Sequence, residues 1–284
     1  MCPQIDLQDV ARSICSEGGL TLRGFVGGGR FKKVFRAMSE NGEEFALKVV
    51  EEPALRTFRE IRALQRCDHP NIARLFHFGR HNFQGTRFDF MLEEFLAGGT
   101  LSEHLEQQGR LDNESTLSIG ENLIDAISHL ASLQLVHRDI KPDNIMFRER
   151  NISPILVDFG IVRDLAATSL THSWLARGPG TPYFASPEQL SNQKRLIDWR
   201  TDQFSLGVVL CFARFGLHPY QHRNEPEFSR FTVERVARRG NRNNSVLTQL
   251  HATGLYCLEK MTHVWPVERY RLPENLLEDW RNQG

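Results

Sequence analysis

The 284-residue sequence has few cysteines, no surplus of charge of either sign, and no apolar run long enough to span a bilayer. Each shortage removes a class of protein. Cys2, Cys15, Cys67, Cys211 and Cys257 are scattered without a CxxC pair. That excludes a disulfide scaffold or a zinc ribbon and fits a reducing compartment. Thirty-five Lys and Arg balance 35 Asp and Glu, so no bulk field draws the chain to nucleic acid or to an anionic membrane. The most apolar stretch, 204–215, is too short for a membrane span and contains Arg214; it reads as a buried helix. Met1-Cys2-Pro3-Gln4-Ile5-Asp6 shows no basic segment leading into an apolar run, and no signal peptide is expected. There is no internal repeat and no low-complexity tract. What remains is 40% apolar and 25% charged, the balance of an ordinary globular protein. A cytoplasmic location is expected, and the sequence leaves the oligomeric state open.

Periodicity divides the chain. Leu7, Val10, Ala11 and Ile14 recur at helical spacing and Gly18-Gly19 stops them, predicting a short N-terminal helix within an extension over 1–19. Segments 20–26, 33–37, 44–50, 72–78 and 87–93 read as strands, with a helix over 54–66 that puts Leu55, Phe58, Ile61 and Leu64 on one side. After Gly98-Gly99 the texture turns helical: Ile119, Leu123, Ala126, Ile127 and Leu130 make an apolar face, with Asp112 as its N-cap. A mostly β region followed by a mostly α region predicts an α+β chain of two lobes. The expected boundaries are 20–93 for the small lobe, 94–99 for a hinge and 100–284 for the large lobe, with a ligand cleft between lobes.

Three segments carry chemistry. Gly27-Gly28-Gly29-Arg30-Phe31-Lys32-Lys33-Val34 is a glycine-rich turn between strands. Such a turn lets backbone N–H groups approach phosphate oxygens, and it serves a flexible hairpin equally well. Lys48, in the apolar strand Phe45-Ala46-Leu47-Lys48-Val49, must reach the surface or find an anion. Glu60 on the following helix is placed to pair with it. The specific signal is His137-Arg138-Asp139-Ile140-Lys141-Pro142-Asp143-Asn144 followed by Asp158-Phe159-Gly160.

Taken together, these motifs resemble the eukaryotic-type (Hanks-type) serine/threonine protein kinases, in order and over 20–271. The resemblance implies a bilobal fold with an ATP cleft and transfer of the γ-phosphoryl group of Mg-ATP to protein hydroxyls. Such a reaction needs positioning and charge neutralisation more than covalent help. By resemblance, Asp139 accepts or orients the proton of the substrate hydroxyl, and Lys141 offsets charge on the transferred group. Asn144 and Asp158 are the implied ligands of Mg²⁺ (Mn²⁺ being an alternative), and Lys48, paired with Glu60, is the implied holder of the α- and β-phosphates. Gly27, Gly28 and Gly29 would cover the phosphates. Val26, Val34, Ala46 and Met146 would sandwich the adenine, though as apolar side chains they fit an ordinary core equally well. The carbonyl of Glu94 and the amide of Leu96 would meet the adenine edge.

The same resemblance reads Gly180-Thr181-Pro182-Tyr183-Phe184-Ala185-Ser186-Pro187-Glu188 as the end of an activation segment. Glu188 is expected to pair with Arg269, and Asp202 to anchor the catalytic loop. His137 and Phe159, with Leu64 and Leu75, hold positions that stack in active members. Arg138 is of the type that pairs with a phosphorylated segment, and autophosphorylation is expected at Thr171 or Ser173. Lys141 and Thr181 point to serine/threonine rather than tyrosine acceptors.

Two positions depart from the pattern. Lys32 stands where the third loop glycine belongs and is expected as an exposed loop lysine, since Lys48 needs no replacement. Glu93 stands at the back of the expected adenine pocket, where family members carry an apolar residue or threonine. Either it competes with Glu60 for Lys48, or the strand is shifted by one residue and Met91 or Leu92 lines the pocket. A binding scaffold without turnover and a small-molecule phosphotransferase are the alternatives to a protein kinase. Lys48, Asp139, Asn144 and Asp158 are all present, so the scaffold has no missing part to cite, and by the same resemblance small-molecule kinases of related fold usually lack the combined set of His137 to Pro142, Ser186-Pro187-Glu188 and Asp202.

Overall fold

A computed structural model describes residues 5–28, 32–50, 55–149, 153–159, 162–165, 181–222 and 224–283. Gly29, Thr171 and Ser173 lie outside the described residues, as does the side chain of Thr181. The chain divides into two compact units: Met1–Asp68 with Ala73–Ala97, and His69–Ile72 with Gly98–Gly284.

The first unit begins with helix α1 (Leu7–Glu17), capped by the Asp6 carboxylate, which accepts from the Gln8 amide at 2.9 Å. Gly18 closes the helix and Gly19 turns the chain at φ 66°, where a side chain would be strained. Five antiparallel strands follow: β1 (Leu20–Gly28), β2 (Lys32–Ser39), β3 (Glu44–Val50), β4 (Leu75–Phe83) and β5 (Thr86–Glu94), ordered β1-β2-β3-β5-β4. Helix α2 (Leu55–Leu64) lies between β3 and β4 in the chain.

The alternation of β3 gives its faces different tasks. Leu47 and Val49 join Phe35, Ala37 and Phe88 in a core closed by Leu7, Val10, Ala11, Ile14 and Cys15 of α1. Val50, on the other face, packs with Ile61 of α2 and with Met91. The sheet departs from sequence expectation at β4, which starts at Leu75 and not at 72. Ile72 instead bridges to Leu156 in the second unit.

The second unit is helical: α3 (Leu101–Gln108), α4 (Asn113–Ser132), α5 (Thr181–Phe184), α6 (Pro187–Leu190), α7 (Trp199–Phe215), α8 (Arg230–Ala237), α9 (Asn244–Ala252), α10 (Cys257–Met261) and α11 (Pro273–Asn282). Two short antiparallel two-stranded sheets accompany them: β6 (Leu135–Val136) with β9 (Arg163–Asp164), and β7 (Ile145–Phe147) with β8 (Pro154–Leu156). Asp112 caps α4 by accepting from the Ser115 amide at 2.7 Å. The apolar stretch noted in the sequence forms most of α7, whose residues Phe204, Leu206, Val208, Val209, Leu210 and Cys211 are fully shielded. No described helix is long and apolar enough to cross a membrane.

Candidate active site

In the first unit, register decides which side chains meet. Lys32 of β2 pairs with Val50 of β3, Val34 with Lys48, Ala46 with Glu93 of β5, and Lys48 with Met91. Directly paired residues share a face, so Lys32, Val34, Ala46, Lys48, Met91 and Glu93 all project to the side that carries Val50 and α2. Glu60 projects from α2 into the same group. Lys48 Nζ donates to Glu93 Oε2 at 2.6 Å and to Glu60 Oε1 at 3.5 Å, while Lys32 Nζ donates to Glu60 Oε1 at 3.3 Å.

This arrangement corrects one expectation and closes an open one. Lys32 is not an exposed loop lysine. It opens β2, its side chain is 23% exposed, and its ammonium turns inward to Glu60. The strand is not shifted by a residue: Glu93 itself projects to this face and takes the shorter contact to Lys48, completing a quartet with Lys32 and Glu60. Burial pushes the Glu93 carboxyl above the usual range, Lys48 pulls it back, and Glu60 adds to the rise. Glu93 Oε1 is buried and has no hydrogen-bond partner among the described residues.

The other residues assigned to the nucleotide are scattered along this unit. Val26 is exposed, at an irregularity of the β1–β2 register between Phe25 and Gly27. Gly28 lies so close to β2 that a Cβ would meet the Lys32 carbonyl oxygen at 2.5 Å, whereas one on Gly27 would meet nothing within 4 Å. Glu94 ends β5, its amide donating to the Arg74 carbonyl at 2.9 Å, and Leu96 is buried.

In the second unit the chain after β6 is held in an unusual shape. Arg138 has φ 70° and Asp158 φ 62°, the left-handed region that costs a side-chain-bearing residue about 1–3 kcal/mol. The Arg138 turn is pinned at both ends. Buried Asp202, in the first turn of α7, accepts from the amides of His137 (2.7 Å) and Arg138 (2.8 Å), and Gln189 Nε2 donates to the Arg138 carbonyl at 2.8 Å. Burial pushes the Asp202 carboxyl up to about 6 against the pull of these amides and of His137 and Arg138. The Asp139 amide donates to His137 Nδ1 at 3.2 Å, so the ring proton lies on Nε2, which bonds the Val157 carbonyl at 3.1 Å. The His137 ring meets fully buried Phe159 edge-on at 4.7 Å.

That frame holds Asp139. Asn144 Nδ2 donates to both the carbonyl (2.8 Å) and Oδ2 (3.1 Å) of Asp139, which leaves Asn144 Oδ1 as the amide's ligating atom. Lys141 Nζ lies 3.7 Å from Asp139 Oδ2. Burial raises the Asp139 carboxyl above the ordinary aspartate range, and Asp158 and Asp143 push it further, against Lys141 and Asn144. The Val157 amide bonds the Asn144 carbonyl at 3.0 Å and brings Asp158 to this group, while Met146 sits in β7.

Glu188 and Arg269 form a two-pronged pair at 2.8 and 3.0 Å with both side chains fully shielded. Two partners of this frame were not singled out in the sequence: Thr201, whose hydroxyl donates to Glu188 at 3.0 Å, and Gln189. Ser186-Pro187-Glu188-Gln189 carries the Gln189 signal, because Ser-x-x-Gln is a capping box and the box forms here.

Comparison with known proteins agrees with this geometry. The model of the protein kinase domain family matches residues 20–281. Among curated proteins, a probable serine/threonine-protein kinase of Clostridium perfringens is 26% identical over 93% of this chain and 36% of its own length. Serine/threonine-protein kinase PknA of Nostoc is 31% identical over 55% of this chain and 28% of its own length. PrkC of Bacillus subtilis, also named a serine/threonine-protein kinase, is 31% identical over 69% of this chain and 30% of its own length. The chain thus spans about a third of the length of these relatives. With the family model covering all but the α1 region and the last three residues, the chain belongs to the protein kinase family.

Proposed function

We propose that this domain transfers the γ-phosphoryl group of ATP to serine or threonine hydroxyls of protein substrates, with Mg²⁺, or Mn²⁺ in its place. The observation that carries the reading is the Asp139 group: a largely shielded carboxylate held by Asn144 at 3.1 Å, beside Lys141 at 3.7 Å, on a loop pinned by Asp202. Asp139 takes or orients the proton of the attacking hydroxyl. Its raised proton affinity suits that work, because a base is most effective when its pKa approaches the working pH. Lys141 meets charge on the moving phosphoryl group, and Lys48 offers its ammonium to the α- and β-phosphates.

The donor set fits a hard cation. No group of three or more His, Cys, Asp or Glu among the described residues could hold a metal alone. Mg²⁺ characteristically takes one or two protein oxygens and completes its shell with phosphate and water, which is what Asn144 Oδ1 and an Asp158 carboxylate offer. Bound there, it would neutralise phosphate charge. The four described cysteines are unpaired, which supports placing the domain in the reducing cytoplasm.

A radiolabelled ATP assay with a generic basic protein tests the reading. Asp139→Ala is expected to lose about 10²- to 10⁴-fold in turnover, the usual worth of a positioned base. Equal labelling by the wild type and the variant would refute it. The 2.6 Å hold of Glu93 on Lys48 favours, as the second reading, a nucleotide-binding scaffold; nucleotide binding without labelling would be its result. Autophosphorylation at Thr171 or Ser173 is part of the proposal. Intact-mass spectrometry after incubation with Mg-ATP checks it, and no added phosphate would remove it.

A further inference from the structure

The quartet contains two ammonium groups and two carboxylates, which balance while Lys48 serves Glu93 and Lys32 serves Glu60. The Lys48–Glu93 contact at 2.6 Å is the length of a charge-assisted bond, whereas the Lys48–Glu60 contact is 3.5 Å. Glu93 therefore depends on Lys48 for its charge. Its second oxygen has no hydrogen-bond partner among the described residues, and Glu93 is 2% exposed. Among the described residues, the charged groups that act on Glu93 are Lys48 of β3, Glu60 of α2 and Lys32 of β2, and β4 sets Leu75 opposite. Lys32 is already at Glu60.

Polyphosphate drawn to Lys48 upsets this balance. A carboxylate that loses its close cation in a buried place, beside a second carboxylate, is stabilised by a proton. We propose that nucleotide binding is coupled to protonation of Glu93, which releases Lys48 to the phosphates and makes Glu93 a positioning residue that sets a pH limit on nucleotide affinity. The inference rests on the reading of Lys48 as the phosphate-binding lysine. Binding and proton uptake are reciprocal. The complex holds the Glu93 proton more tightly than the free protein does, so affinity is highest at low pH and falls as pH rises through the window between the two states.

The test is calorimetric titration of the whole domain with Mg-ADP, in buffers of different ionisation enthalpy, from about pH 5 to about pH 9. Expected is uptake of up to about one proton per nucleotide, with Kd rising by up to about tenfold per pH unit across the window. Glu93→Gln keeps the shape and an acceptor for Lys48 but cannot titrate; uptake should vanish and Kd become flat. Carbon-detected NMR of the Glu93 carboxyl in the wild type gives a readout independent of any variant, and its signal should move to the protonated position on addition of Mg-ADP. Binding without uptake, or uptake that persists in Glu93→Gln, overturns the coupling alone. Absence of Mg-ADP binding, or binding undiminished in Lys48→Met, overturns the nucleotide reading and the coupling with it.

Discussion

Removing the Glu188 carboxylate should strongly destabilise the second unit. In the wild type it accepts two bonds from Arg269 and one from the Thr201 hydroxyl, with no solvent to replace any of them. Arg269 also donates to the carbonyls of His263 (2.7 Å) and Arg200 (2.8 Å), which fix the guanidinium where it stands. It cannot swing to water when its partner is lost. Glu188→Ala then leaves a buried cation facing neutral carbonyls, a change that costs about 3–5 kcal/mol. The Thr201 hydroxyl adds about 1 kcal/mol if left unbonded. For a unit of this size each kcal/mol lowers the midpoint by about 2–4 °C, so a fall of roughly 8–24 °C is expected. All four tryptophans lie within Gly98–Gly284, so urea or thermal unfolding followed by tryptophan fluorescence reports on the right part of the chain. Two further variants separate charge from packing. Glu188→Gln should lose about half as much, because it keeps an acceptor for Arg269. Adding Arg269→Met to Glu188→Ala should recover part of the loss, because it removes the stranded charge. A loss under about 1 kcal/mol in Glu188→Ala would refute the argument, since that is the worth of a solvated surface pair.

Two other outcomes are expected. Asp202, pushed up to about 6 by burial, binds a proton more tightly folded than unfolded. Its contribution therefore favours the folded state at low pH and is lost as pH rises from about 4 to about 6, on the order of 3 kcal/mol in all. Carboxyl-carbon NMR should give a midpoint near 6, and a midpoint in the ordinary aspartate range would refute it. Gly120 of α4 faces Trp280 of α11, where a Cβ would fall 2.1 Å from the indole ring. Gly120→Ala is expected to cost about 1–3 kcal/mol by overpacking, with a changed near-ultraviolet circular dichroism signal; an unchanged midpoint and spectrum would refute it.

The parts of the fold legible in the sequence are those governed by near neighbours. Helix α1 follows from Leu7, Val10, Ala11 and Ile14 and from the glycines that end it; α4 follows from its stripe and the Asp112 cap. The segment after β6 was legible for a different reason: His137 to Asn144 is contiguous, and its internal bonds, such as Asn144 to Asp139 and Asp139 to His137, link residues two to five positions apart. Where expectation and structure part, the cause is non-local. Ile72 has the side chain of a strand residue, yet it pairs with Leu156, more than eighty positions away. Lys32 reads as a loop lysine by its glycine neighbours, but pairing with Val50 makes it the first residue of a strand.

By itself, then, the sequence determined the family, the alternation of elements, and the residue types available for phosphate, metal and proton. Only the tertiary structure decided how the buried charges were shared. Lys48 reaches both Glu60, twelve positions on, and Glu93, forty-five positions on, and nothing in the local pattern ranks the two. The ranking comes from three strands in one register, which set Lys32, Lys48 and Glu93 on a single face and leave α2 to bring Glu60. In that shielded place Lys48 lies about an ångström closer to Glu93 than to Glu60, and that separation, not the order of residues along the chain, ranks its two partners.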